Sequence, residues 1–306
     1  MHPPVRSWIA GVVLLAASLP AMPAAAQTSE GLSPTLAGIK ASHVVHLGYR
    51  ESSPPFSFLD QANRPIGYSL ELCEAVVDEI GAEVDDPNLR IEYVKVTSDD
   101  RIQAVLQNKI DLECGSTTAN AERGKQVAFS PLMFVAGTKL MVPKASNVQS
   151  VTDLKGKTVV VTKGTTNEQA MHNVDRKYSL GLNIVTSPDH EQSYQMLADG
   201  KADAFATDDI LLSGLIARHK SQDKFRVTGD YLSYDPYGIM FRKGEPELSE
   251  VVERAFRKLG SNHDLIPLYE KWFVARLPTG ERMNVPISPQ LEDAFRAMDD
   301  SPSGSN

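Results

Sequence analysis

The chain has 306 residues, with 31 Lys plus Arg against 39 Asp plus Glu, a formal net charge of −8 and 42% hydrophobic residues. That length exceeds one ordinary domain, and the acidic balance argues against a nucleic-acid partner, whose recognition rests on neutralising phosphates. If such a protein takes up an anion, a local basic cluster must overcome its own field.

In chain order, the first feature is an export signal. Arg6 gives a positive start, an apolar stretch runs from Trp8 to Leu19, and Ala24-Ala25-Ala26 before Gln27 forms a cleavage site after Ala26. The alternative is a membrane anchor. The stretch is too short to span a bilayer comfortably, Pro20 and Pro23 interrupt it, and no Cys stands at the cleavage point to carry lipid. Removing residues 1–26 takes away Arg6 alone among Lys, Arg, Asp and Glu, so the net charge moves from −8 to −9. The expected product is soluble and periplasmic.

Alternating strands and helices come next. Val44 to Tyr49 reads as a strand, Tyr68 to Ile80 as a helix with Leu72, Val76 and Ile80 at four-residue steps and Gly81 as its stop. Ile91 to Val96 is a second strand, Asp99 to Gln107 a helix, and Ile110 to Cys114 a third strand. Thr138 to Lys144 is a strand-like link. The pattern then recurs with strands at Thr158–Thr162, Asn183–Thr186 and Ala202–Ala206 and helices at Thr166–Tyr178 and Glu191–Asp199. Tyr237 to Arg242 is a second link, and helices near Pro246–Leu259 and Asn262–Ala275 return to the first unit. Residues 277–306 are Pro-rich at first, with a short helix near Leu291–Ala297 and a disordered Ser/Gly end. Two β-α-β-α-β units predict an α/β protein of two lobes, each a mostly parallel sheet flanked by helices. Residues 27–138 plus 243–283 form lobe 1 and 139–236 lobe 2, with a two-strand hinge near 138–144 and 237–242 and a C-terminal tail over 284–306. Cys73 and Cys114 match no metal or redox spacing; a disulfide and two buried thiols both remain open.

Ligands of open parallel sheets bind beyond the carboxyl ends of the strands. Arg50 follows the first strand, Ser98 and Arg101 the second, and Ser116, Thr117, Thr118 and Arg123 the third. In the second unit the corresponding residues are Gly164, Thr165 and Thr166, then His190, then Asp208 and Asp209. Three Arg offer planar forks for carboxylates, Asp208 an acceptor for an ammonium, and Thr165–Thr166 the free N–H groups that open a helix. That set suits an acidic amino acid. Each member also has a purely structural alternative: an Arg after a strand most often forms a surface ion pair, and Gly-Thr-Thr is commonly a turn and helix cap. Gly156-Lys157-Thr158 resembles the end of a phosphate-binding loop, but position 151 is Val where that motif needs Gly. No metal site, cofactor motif or catalytic triad is expected.

At these residues the chain resembles the periplasmic glutamate/aspartate-binding proteins of ABC importers, within the polar amino-acid solute-binding family. Arg50-Glu51-Ser52-Ser53-Pro54-Pro55-Phe56-Ser57-Phe58 looks like that group's first-strand loop, and Glu113-Cys114-Gly115-Ser116-Thr117-Thr118 with Glu122-Arg123 is the most specific match. Gly164-Thr165-Thr166, Asp189-His190 and Asp208-Asp209 agree as well, and the similarity runs from about Ile39 to Met283. The resemblance implies a two-lobed, type II "Venus flytrap" fold and no enzymatic activity. It also implies L-glutamate or L-aspartate as ligand, membrane permease subunits as partners, and a monomer. It assigns Arg123, Thr118 and Thr166 to the α-carboxylate, Asp208 with Ser116 and Thr118 to the ammonium, and Arg50, Ser98, Arg101 and His190 to the side-chain carboxylate. If protonated, His190 would make affinity fall as pH rises through neutrality. The alternative is an enzyme on the same fold, a periplasmic dehydratase of prephenate-like substrates, which needs a general acid or base facing its ligand. A sensor or transglycosylase would need a transmembrane or second catalytic segment, and the sequence offers neither.

Overall fold

β-Branched and apolar runs build two five-stranded sheets on one plan. The computed structural model describes Met1 and residues 31–299. The export signal with its cleavage after Ala26, and the Ser/Gly end from 300, lie outside the described residues.

The chain enters through α1 (Pro34–Ser42) and β1 (Val44–Tyr49), then forms a small sheet of β2 (Ser52–Ser53), β3 (Ser57–Leu59) and β4 (Pro65–Ile66). It continues through α2 (Tyr68–Val84), β5 (Arg90–Lys95), α3 (Arg101–Leu106), β6 (Leu112–Glu113), β7 (Val127–Phe129), β8 (Phe134–Ala136) and β9 (Thr138–Pro143). The second unit holds β10 (Thr158–Thr162), α4 (Thr166–Tyr178), β11 (Asn183–Ser187), α5 (His190–Ala198), β12 (Ala204–Asp208), α6 (Asp209–Arg218) and β13 (Phe225–Thr228). β14 (Asp235–Tyr237), β15 (Met240–Arg242), α7 (Pro246–Ser261), α8 (Leu265–Tyr269) with a π turn over Glu270–Val274, and α9 (Pro289–Asp299) complete the chain. Among the described residues no helix is long and apolar enough to cross a membrane.

Lobe 1 is built on the sheet β5-β1-β6-β15-β7, and lobe 2 on β11-β10-β12-β9-β13. In each, three parallel strands meet an antiparallel pair: β15 runs against β6 and β7, and β9 against β12 and β13. The segments that the sequence marks as hinge, 138–144 and 237–242, therefore largely serve as sheet strands β9 and β15. The crossing lies a few residues earlier, on the antiparallel pair β8 and β14, where Asp235 pairs with Ala136 and Tyr237 with Phe134. One helix boundary differs from the sequence expectation. Gly81 does not stop α2; the helix ends at Val84 with Asp85 in the left-handed conformation, and Gly81 is needed because a Cβ there would lie 2.9 Å from the Asp86 carbonyl oxygen. The short helix expected near Leu291–Ala297 is α9, longer by two residues at each end; it buries Leu291 and Phe295 in lobe 1, and Val285 donates its N–H to Phe273 O, so this part of the tail packs on lobe 1.

Lobe 1 has a large core that unites Val45, Leu47 and Leu112 of the sheet with Leu72, Val76 and Ile80 of α2 and an aromatic group of Phe56, Tyr68, Phe134, Tyr237 and Phe273, and a second, smaller cluster of Val96, Ala104, Val105, Ile110, Val127 and Met240. The Cys73–Cys114 disulfide ties α2 to the end of β6, with Cα atoms 6.2 Å apart. Lobe 2 packs its sheet on both faces, as strand alternation requires: Val160 faces one cluster, Val159 and Val161 the other. Helix α6 belongs to neither lobe alone. Ile210 and Leu211 are buried in the lobe 1 core, whereas Leu212, Leu215 and Ile216 are buried in lobe 2.

Candidate functional site

The carboxyl ends of the six parallel strands converge between the lobes, and short loops from them carry the polar side chains. Arg50 follows β1, Arg101 opens α3, and Ser116 and Thr118 lie in the loop after β6. From lobe 2, Thr165 is the N-cap of α4 and Thr166 its first residue, His190 is the first residue of α5, and Asp208 ends β12. Arg101, Ser116, Thr118, Thr165, Thr166, His190 and Asp208 line one cavity of about 10 Å³, together with Asn167 and Leu211. That is room for about one water; a larger pocket of about 650 Å³ shares Thr118, Thr165 and Thr166 with it and is lined by Arg123 and Asp235 as well.

Of the three guanidinium groups that lobe 1 brings to the cleft, Arg101 lines this cavity, whereas Arg50 and Arg123 lie outside its lining but close enough to feel the charge of Arg101. Arg50, Arg101 and Arg123 are all buried, and among the described residues none lies within 4.0 Å of a carboxylate oxygen. Arg50 donates from Nη2 to Ser98 Oγ while its Nη1 has no partner, and Arg101 Nε and Ser116 Oγ are likewise buried and unpartnered. Arg123 donates to the Thr118 carbonyl at 2.8 Å and, across the cleft, to the Gly164 carbonyl at 3.4 Å. Burial, with the charge of Arg101 second, lowers Arg50 to about 10 and Arg123 to about 9. Both stay charged at neutral pH, and burying a charge without a direct ion-pair partner costs several kcal/mol. The cluster is built for an anion.

His190 sits opposite. Its Nδ1 is 2.8 Å from Thr162 Oγ1, which is 2.8 Å from Ser193 Oγ. Burial, then the charges of Arg50 and Arg101, push His190 well below its ordinary pKa of 6.5. Burial first, and then two guanidiniums nearby, make a further positive charge unfavourable in the cleft without an anion.

Asp208 accepts from Asn167 Nδ2 at 2.7 Å and from the Tyr237 hydroxyl. Burial, with the neighbouring Asp235 second, raises its pKa to about 7. Asp235, on the hinge strand β14, accepts from Thr118 Oγ1 at 3.1 Å and from Ser233. Thr118 also lies 3.3 Å from Thr166 Oγ1 across the cleft, and its loop pairs with β14 through Ala119 N–H to Pro236 O at 2.7 Å. One loop thus joins lobe 1, the hinge and lobe 2. Thr165 plays a smaller part than its position suggests. Its hydroxyl donates to Thr162 O at 2.7 Å and accepts from Glu168 N–H at 3.2 Å, so it serves as a helix cap.

Sequence reasoning misses Glu113, Asn167 and Asp235. Glu113 is fully buried at the end of β6, accepts from Thr117 Oγ1 at 2.7 Å, and leaves Oε1 unpartnered. Its charge acts on all three Arg. Its place directly before Cys114-Gly115-Ser116 is the available signal. A Cβ at Gly115 would fall 2.3 Å from Glu113 Oε1 and 2.9 Å from Arg50 Cγ, so Gly115 makes room for both.

Two α/β lobes joined by a paired-strand hinge, with a buried polar site between them, define a two-lobed solute-binding protein. Residues 45–275 match the family model for bacterial extracellular solute-binding proteins, family 3, and the chain belongs to that family. An L-glutamate/L-aspartate-binding protein of Pseudomonas aeruginosa is 39% identical over 93% of this chain and 95% of its own. A glutamate/aspartate import solute-binding protein of Salmonella typhimurium is 36% identical over 87% of this chain and 88% of its own. Among solved structures, a mutant of ArgBP from T. maritima superposes with a TM-score of 0.70 at 28% identity, covering 78% of this chain and 98% of that one.

Proposed function

We propose that the protein captures L-glutamate or L-aspartate in the periplasm, after cleavage of its export signal at Ala26, and delivers it as a monomer to the permease subunits of an ABC importer. The observation that carries this reading is the group of three buried guanidiniums lacking an ion-pair carboxylate, two of them with unpartnered nitrogens. An amino acid with a neutral or basic side chain would supply one carboxylate to three Arg; an acidic one supplies two. The names of the similar proteins support the same ligand class, and favour capture over the dehydratase alternative.

In this reading Arg123, Thr118 and Thr166 hold the α-carboxylate. Asp208, with Ser116 and Thr118, holds the ammonium. Arg50, Ser98, Arg101 and His190 hold the side-chain carboxylate, His190 as a neutral donor. Entry requires the lobes to swing apart about β8 and β14, and contacts from both lobes select the closed form. Mass spectrometry of ligand carried through purification, then calorimetric titration with glutamate, aspartate, glutamine and arginine, tests it. Glutamate or aspartate should bind at least a hundredfold more tightly than the other two; equal affinities would overturn it.

A further inference from the structure

Two of the contacts that bring the lobes together are made by backbone against backbone, and each depends on a glycine. Gly214 lies in α6 on the same face as Ile210, Leu211 and Arg218. A Cβ there would fall 2.3 Å from the Pro54 carbonyl oxygen and 2.9 Å from its carbon, in the loop between β2 and β3 of lobe 1. Arg218, one turn on, donates to Leu59 O at 3.0 Å and places its guanidinium 5.5 Å from the Phe58 ring centroid. Elsewhere at the cleft, a Cβ on Gly164 would lie 2.6 Å from Asp99 Cα, beside the Lys163–Asp99 ion pair at 2.9 Å. Real Cβ atoms do not approach so closely, so α6 seats on lobe 1 only because residue 214 has no side chain.

The seat is connected to the ligand site at both ends. Asp208, the proposed ammonium acceptor, directly precedes α6, and Pro54 lies four residues beyond Arg50, a proposed partner of the side-chain carboxylate. The depth to which α6 settles on Pro54 therefore sets the separation between the group that holds the ammonium and the group that holds the far carboxylate. We infer that Gly214 is a specificity-determining residue: its contact with Pro54 fixes how far the lobes close, and so which length of dicarboxylic amino acid the closed cleft grips. This inference rests on the reading above. A methyl group at 214 acts as a wedge that lengthens the closed cleft, and the shorter aspartate, which needs the deeper closure, loses most.

Gly214→Ala also separates this role from a merely structural one, because alanine is the better residue in a helix interior. With the lobes apart the Pro54 seat is vacated, so the ligand-free protein in its open form should keep or raise its thermal midpoint while affinity falls, two effects of opposite sign. Calorimetry with aspartate and glutamate on wild type, Gly214→Ala and the control Gly38→Ala is the test. Gly38 lies in α1 with open space around it. The expected result is an aspartate-to-glutamate affinity ratio lowered about tenfold in Gly214→Ala, the scale of one methylene, and unchanged in Gly38→Ala. An unchanged ratio in Gly214→Ala, with wild type binding both ligands, overturns this inference alone. A wild type that binds neither amino acid overturns the functional reading and this inference with it. If Gly214→Ala fails to fold, Arg218→Met loosens the same seat from its half-buried end. A larger loss for aspartate than for glutamate supports the inference, and equal affinities to wild type overturn it.

Discussion

Lobe 1 and lobe 2 share a sheet plan and differ in what they bring to the cleft. Lobe 1 presents Arg50, Arg101 and Arg123, backed by a large core, a smaller second cluster and the Cys73–Cys114 disulfide. Lobe 2 presents a carboxylate, a neutral imidazole and a helix N-terminus, on a sheet packed between two small clusters. The guanidiniums are thus concentrated on one lobe, and the groups proposed to read the ammonium and complete the carboxylate shells lie on the other. This division teaches that recruitment and closure are separate tasks: an anion can be drawn to lobe 1 alone, but only an amino acid that also satisfies lobe 2 brings the lobes together.

The largest effect expected from breaking this division is at its two poles. Arg123→Ala removes the proposed lobe 1 anchor of the α-carboxylate and should abolish calorimetric binding of glutamate and aspartate alike, a loss of about 3–5 kcal/mol. Asp208→Asn, the lobe 2 counterpart, should do nearly the same. Retention of wild-type affinity by either variant would mean the ligand lies elsewhere.

Next comes the difference in reinforcement. Reducing Cys73–Cys114, which closes a loop between residues 41 apart, should cost about 3–4 kcal/mol. Because the bond lies wholly in lobe 1, hydrogen exchange under mild chemical denaturation should find lobe 1 amides losing protection first. Uniform loss in both lobes would show that they unfold as one unit.

Arg101→Met sharpens the selectivity of lobe 1. Glutamine has nearly the shape of glutamate but presents an NH₂ donor where the site supplies donors. Glutamate should lose roughly a hundredfold in affinity and glutamine far less; equal losses would make Arg101 a structural residue.

The smallest effect is on pH dependence, and it reports lobe 2. The raised pKa of Asp208, about 7 and caused by burial and then by Asp235, favours its protonated form in the ligand-free protein. That contribution to stability is complete below the ordinary value of 3.8 and is lost as pH rises through about 7. An ammonium needs the ionised form, so binding below pH 7 expels a proton. Affinity for glutamate should fall by up to tenfold per pH unit below about 7 and level off above it. Titrations in buffers of different ionisation enthalpy would count the released proton. Affinity that rises on acidification would instead mean that His190 charges.

The strand ends are legible in the sequence because parallel strands announce themselves as β-branched runs, and the residues just past each run face the cleft. Thr158–Thr162 matches the structure to the residue for that reason. Helix α6 is not legible. Its sequence from Asp209 to Arg218 is apolar on both sides because both sides are buried, one in each lobe, so the periodic polar stripe that identifies a surface helix is missing. Glu113 and Asp235 escape notice for a related reason: a buried acid is indistinguishable by residue type from the many exposed ones, and only the packing around it reveals the difference. The sequence places the hinge a few residues late because β8 and β14 are three residues each, too short to carry a period of their own.

The place of β15 has a consequence for how the chain assembles as it is made. This strand lies between β6 and β7 in lobe 1, yet it is synthesised after every strand of lobe 2. Lobe 2 can complete its sheet from contiguous chain once Thr228 has emerged, whereas β6 and β7 must wait for Met240–Arg242 to fill the gap between them. Domains that emerge whole fold early during synthesis, and long-range strand pairing is slow because loop closure comes first. The lobe that begins first in the chain is therefore expected to finish last, with unpaired strand edges awaiting one short strand, and that interval is where a chaperone or a misplaced β-edge would act.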